Sequence, residues 1–142
     1  MIIVIDYGIG NIGSILNMLK KIRAPAQATA SPAEIETADK IILPGVGAFY
    51  RAMHNLNKLG LVGPLSRRVV ERGVQILGIC LGMHLSGERS EEGKLPGFGW
   101  LDGEVKKFRF EEADAMLKIP HMGWNTISAK KLSPLMDGLE DN

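Results

Sequence analysis

Residues 74–83, Val-Gln-Ile-Leu-Gly-Ile-Cys-Leu-Gly-Met, hold the chain's one cysteine between two glycines. The apolar run Val74 to Ile79 is too short for a helix and follows Gly73, so it reads as a strand buried on both faces. It stops at Cys80. Gly78 and Gly82 stand two residues before and two after the sulfur, where backbone crowding is greatest if a nucleophile is held out on a sharp strand-to-helix turn. A helix starting near Leu81 would place free amides and a positive dipole end beside the thiol and favour the thiolate. A lone cysteine more often simply packs in a core, but the glycines and the strand-end position favour a nucleophile.

The same alternation extends toward the N-terminus. Met1 to Asp6 (MIIVID) reads as a buried strand, and Ile12, Ile15, Leu16, Leu19 and Ile22 follow at helical spacing. Ala26 to Ala30 is a weak second strand. Ser31-Pro32 reads as a helix cap and first helical residue, and Lys40 to Leu43 (KIIL) as a third strand closed by Pro44-Gly45. Helical stretches over about Phe49 to Leu59 and Val62 to Arg72 each end on a glycine, Gly60 and Gly73, suited to a left-handed C-terminal position. Strand and helix in alternation predict an α/β fold, an open and mostly parallel sheet with helices on both faces. From Trp100 the pattern changes: Trp100 to Phe110 and Trp124 to Ser128 read as strands joined by loops, antiparallel or mixed.

Composition narrows the function classes. With 142 residues, 45% hydrophobic and 23% charged, the chain matches one ordinary globular domain. Seventeen Lys and Arg against sixteen Asp and Glu give a formal charge of +1, which offers no electrostatic footprint for nucleic acid. The apolar run at the N-terminus is far too short for a membrane span or signal sequence, and a single cysteine suits a reducing compartment. The expectation is a cytoplasmic protein with neither nucleic acid nor membrane as partner.

In open α/β sheets, ligands bind beyond the carboxyl ends of the strands. Two further strand ends therefore matter: Asp6-Tyr7-Gly8-Ile9-Gly10-Asn11 and Pro44-Gly45-Val46-Gly47. Gly8, Gly10 and Gly13 spell GxGxxG, a dinucleotide-binding pattern. The acidic residue that should end the second strand is missing, however: Thr29-Ala30-Ser31-Pro32 stands there and Glu34 comes too late. The simpler reading is a tight turn whose Asn11 caps the first helix. No cofactor or metal is expected, because the acidic group Glu88, Glu91 and Glu92 has no histidine or cysteine at ligand spacing and reads as a solvated helix end. Glu111, Glu112 and Asp114 read as an exposed loop.

Taken together, DYGIGN, LPGVGAF, GICLGM followed by ERSEEG, and IPHMGWN resemble the glutaminase subunits of imidazole glycerol phosphate synthase, within the class I glutamine amidotransferases. The resemblance covers essentially the whole chain and implies a flavodoxin-like α/β domain spanning 1–142 that is incomplete at its C-terminus. It implies that Cys80 attacks the side-chain amide of glutamine to form a glutamyl thioester, releasing ammonia to a (β/α)₈-barrel synthase partner in histidine biosynthesis. The amide of Leu81 is placed to donate to the oxyanion, and Val46 with Gly47 would supply a second donor after a peptide reorientation that Gly45 and Gly47 make inexpensive. Gly45, Gly82 and His84 are then expected at the substrate. Asn11, His121, Met122 and Trp124 are expected at the partner, since bulky apolar groups beside a loop glycine suit an interface anchor.

Two departures from the family pattern stand out. The position of His84 is usually glutamine; histidine can still donate a hydrogen bond. The family's catalytic histidine, with a glutamate two residues beyond it, has no counterpart here. His84 lies four residues after Cys80 on the helix behind the elbow and is not expected to serve as base, and His54 reads as a surface helix residue. These 142 residues alone are accordingly expected to be inactive. Two other readings stay open: a non-catalytic homologue that binds and regulates a synthase, for which a self-contained core would be the sign, and a cysteine hydrolase or protective protein sharing the elbow. Ammonia supply to a sugar-modifying enzyme is an alternative destination.

Overall fold

A computed structural model describes residues 1–110, 123–128, 130–131 and 133–138. Two compact units appear, Met1–Lys107 and Phe108–Asn142. The first holds the predicted sheet: β1 (Ile2–Ile5), β2 (Ala26–Thr29), β3 (Lys40–Leu43) and β4 (Gln75–Gly78), all parallel in the order β2-β1-β3-β4. The intervening helices are α1 (Ile12–Lys21), α2 (Pro32–Ile35), α3 (Phe49–Lys58) and α4 (Val62–Ser66), and α5 (Leu81–His84) follows β4. The sequence placed each of these strands to within two residues, because buried parallel strands are continuous apolar runs.

The start of α1 and the ends of α3 and of the stretch after α4 fall where their residues dictate. Asn11 Oδ1 accepts the Ser14 N–H at 3.1 Å and so caps α1. Gly60 and Gly73 take the left-handed conformation, φ +67° and +65°. The stretch expected to be one helix from Val62 to Arg72 is instead α4 followed by a π-helical segment, Arg67–Glu71. Within that segment Arg67 pairs with Glu36 at 2.6 Å and Arg68 Nη2 donates to the Ala38 carbonyl. Both arginines thereby tie the end of α4 to the approach to β3.

The two faces of the sheet differ. Ile3, Ile5, Ile41 and Leu43 pack beneath Ile35, Phe49, Ala52, Met53, Leu56, Leu61 and Leu65, a core with no solvent access at most of its side chains. On the other face Val4 and Ile42 meet Leu19 of α1. That cover does not extend across β4: Leu77 is 50% exposed and Ile79 38%. Among the described residues β4 also has no neighbour on its outer edge.

Beyond β4 the expectations need correction. Trp100 to Phe110 is not a strand: only β6 (Glu104–Val105) forms, and it pairs with β5 (Arg89–Ser90) in parallel, not antiparallel. Trp100 stacks on Phe98 at 4.0 Å and its Nε1 donates to Ser66 Oγ at 3.3 Å, so its bulk serves the core edge and not a sheet. Residues 88–92 are not a solvated helix end either. Arg89 pairs with Glu104 across β5 and β6, Glu91 accepts the Lys107 N–H at 3.0 Å, and Glu92 reaches α3. In the second unit, Trp124 to Ser128 carries no strand and Trp124 is fully exposed; Phe108 and Phe110 stack at 5.7 Å, and Pro134–Met136 forms a 3₁₀ turn. Glu111, Glu112, Asp114, His121 and Met122 lie outside the described residues.

Candidate active site

Three strand ends converge at the carboxyl edge of the sheet, and Cys80 stands among them. It adopts φ 53° and ψ −115°, a conformation that costs a non-glycine residue about 1–3 kcal/mol and persists only where surrounding structure enforces it. Its side chain is exposed. Strain and exposure in one residue, at a strand-to-helix junction, are the geometry expected of a presented nucleophile.

The enforcement comes from glycines. A Cβ on Gly78 would sit 2.6 Å from Met83 Cα and 2.7 Å from its nitrogen, so the strand before Cys80 touches the helix after it. A Cβ on Gly82 would strike the Leu43 carbonyl oxygen at the end of β3, and one on Gly45 would sit 2.6 Å from the Gly82 nitrogen and 2.8 Å from Leu81 Cβ. Backbone thus lies on backbone from β3 to the elbow. The turn is closed by hydrogen bonds from the Gly82 N–H to the Ile79 carbonyl (3.0 Å) and from the Met83 N–H to the Cys80 carbonyl (2.9 Å). Leu81, itself buried, occupies the first helical position, whose amide has no partner within a helix.

The first loop supports the second. Tyr7, buried to 1% exposure, donates its hydroxyl to the Pro44 carbonyl at 2.6 Å, and Asn55 Nδ2 donates to the Tyr7 carbonyl at 3.0 Å. Burial pushes the Tyr7 phenol well above its ordinary range. Gly10, at φ +115°, faces Pro44 so closely that a Cβ would meet its Cβ at 3.0 Å. Gly13 is different, because a Cβ there would meet nothing within 4 Å. The third glycine of a dinucleotide-binding loop exists for close packing, so the GxGxxG spacing here serves the Pro44 turn instead.

Between Gly45 and Phe49 the loop is open. Val46 is 62% exposed, Gly47 adopts φ +91°, and a Cβ on Gly47 would meet nothing. His84, half-buried on α5, donates its backbone N–H to the Cys80 carbonyl at 3.3 Å. His54 is exposed and stacks on Tyr50. Among the described residues no histidine side chain hydrogen-bonds the Cys80 thiol, and no group of three or more His, Cys, Asp or Glu is placed to hold a metal ion. No helix among them is long and apolar enough to cross a membrane. Of the sites expected from sequence, Gly45, Val46, Gly47 and Asn11 lie on loops or a helix cap at this one edge, Cys80 stands at the elbow, and Leu81 and Gly82 open α5, with His84 at its end. Tyr7, Asn55 and Glu92 were not anticipated. The one available hint was Ala48, a helix-capping position whose side chain cannot cap.

Comparison with known proteins gives the family. The family model described as glutamine amidotransferase class-I matches residues 3–141. A Pseudomonas aeruginosa protein named imidazole glycerol phosphate synthase subunit HisH 2 is 49% identical over 99% of this chain and 68% of its own length. One of the same name from Methanococcus maripaludis is 47% identical over 100% and 69%, and the Leptospira borgpetersenii HisH subunit is 39% identical over 100% and 70%. A crystal structure of a glutamine amidotransferase superposes with a TM-score of 0.61 at 20% identity, covering 73% of this chain and 55% of the other, which speaks to the fold alone. The chain belongs to the class-I glutamine amidotransferase family.

Proposed function

We propose that this chain is the glutaminase part of an imidazole glycerol phosphate synthase, in which Cys80 attacks the side-chain amide of glutamine. The observation that carries the reading is the strained, exposed Cys80 held between Gly78 and Gly82. The sulfur bonds to the amide carbon, the amine leaves with a proton as ammonia, and water then cleaves the thioester to give glutamate. The Leu81 amide and the open Val46–Gly47 peptide are the oxyanion donors in this reading, while Gly45, Gly82 and His84 border the bound glutamine. The names of the relatives support histidine biosynthesis as the destination of the ammonia. A cytoplasmic (β/α)₈-barrel synthase subunit is the proposed acceptor, met by Asn11, His121, Met122 and Trp124.

The base that moves the proton is proposed to come from further chain, together with its glutamate. Support lies in the exposure of Leu77 and Ile79, beside Cys80, among the described residues. Parallel sheets ordinarily carry cover on both faces, so this face of β4 suits an added strand and helix. The test is glutamine-dependent synthesis in the chain extended to its relatives' length and mixed with the barrel subunit. Cys80→Ala should abolish it and leave synthesis from ammonium salts nearly unchanged; equal loss from both nitrogen sources would withdraw the role of the thiol.

A further inference from the structure

Helix α3 begins without a cap of its own. Ala48 stands at the capping position and offers no side-chain acceptor, although the first amides of any helix need partners from outside it. One comes from 43 residues away: Glu92 Oε2 accepts the Phe49 N–H at 3.2 Å. Glu92 is itself held by a turn in which the buried Ser90 hydroxyl accepts its N–H at 3.1 Å. Next to it, Gly93 lies against Tyr50, and a Cβ on Gly93 would sit only 2.8 Å from that of Tyr50, too close to fit. The segment from Ser90 to Gly93 therefore grips the first turn of α3.

That grip bounds the loop at the candidate active site. On the near side, Pro44 is tied to Tyr7 and Gly45 is wedged on Leu81 and Gly82. On the far side, Phe49 is tied to Glu92. Only Val46, Gly47 and Ala48 lie between, and all three are exposed. We infer that Glu92 is a positioning residue: by capping α3 it fixes the far end of the loop, so that reorientation is confined to the peptides around Val46 and Gly47. The inference rests on the proposed oxyanion role of that loop for its functional meaning, and on the hydrogen bond alone for its geometry.

Amide hydrogen exchange and ¹H–¹⁵N spectra of the 142-residue chain, and of the chain extended to its relatives' length, test it without any turnover of glutamine. Phe49 should be protected in the unaltered chain. Glu92→Ala should speed its exchange by about tenfold or more, as expected for loss of a bond to a charged acceptor. The same variant should shift the Val46 and Gly47 signals while leaving exchange at Ile41–Leu43 unchanged. Glu92→Gln, which keeps an acceptor oxygen, should restore most of both effects. An unprotected Phe49 amide in the unaltered chain overturns the inference whether or not the variants fold. So does a Glu92→Ala spectrum with Val46 and Gly47 unmoved, or a Glu92→Gln variant as perturbed as Glu92→Ala. If the spectra behave as expected but an extended, glutamine-hydrolysing chain is indifferent to Glu92→Ala, the oxyanion reading of the loop fails and the cap stands.

Discussion

Gly82 lies against the carbonyl oxygen of Leu43, so close that the backbone at the end of β3 occupies the space a side chain on Gly82 would need. The contact sets how near the elbow can approach the Pro44 turn, and neither partner can yield without moving a strand. Gly82→Ala should therefore destabilise the fold by about 2 kcal/mol or more. Gly13→Ala is the matched control: it lies inside α1 with open space around it and should stabilise by about 0.5–1 kcal/mol. Urea unfolding of the two variants checks both signs.

The strain at Cys80 predicts an unusual order of stabilities. At φ 53° and ψ −115°, alanine keeps the steric penalty of a Cβ and glycine does not, so Cys80→Gly should exceed Cys80→Ala in stability by about 1 kcal/mol. In an unstrained strand end the order is reversed. Denaturant midpoints of the two variants decide it.

Tyr7 links the first two loops and should show itself at high pH. Burial raises its folded pKa above the ordinary value of 10.0, so between those two values the unfolded chain releases a proton that the folded chain retains. Stability from this group is intact below pH 10 and is lost as the pH rises above it. Tyr7→Phe should remove that alkaline slope and cost about 1–3 kcal/mol at neutral pH, because the buried Pro44 carbonyl loses its donor. Urea midpoints at a series of pH values measure both effects.

The 142 residues alone should hydrolyse glutamine slowly. No histidine side chain among the described residues hydrogen-bonds the Cys80 thiol, and loss of the base in comparable triads costs about 10⁴- to 10⁶-fold in rate. A glutaminase assay against an extended chain checks this. Turnover equal to that of the extended chain, and lost in His84→Ala, would make His84 the base.

The elbow was legible because its causes are local: an apolar run, then small residues two either side of Cys80. The parallel order followed from strand and helix alternation in the same way. What stayed hidden depends on partners distant in the chain. Nothing near Gly45 announces that it must fit against Leu81 and Gly82, and nothing near Glu92 points to the Phe49 amide. Strands β5 and β6 have two residues each, too few to leave a period, so Trp100 and Phe108 suggested a longer strand that does not form. The π-helical segment was missed for a related reason, since one extra residue in a turn barely disturbs the apolar spacing of Val62, Leu65 and Val69.

The role of Cys80 can be tested directly with a chloroketone analogue of glutamine, which alkylates a nucleophile that binds the glutamine framework. With one cysteine in the sequence, intact mass followed by peptide mapping reports the adduct without ambiguity. The account predicts a single thioether at Cys80, with chloride as the leaving group, and formation slowed about tenfold when glutamine is present at ten times its dissociation constant. An adduct elsewhere, or one at Cys80 that forms at the same rate with and without glutamine, would contradict it.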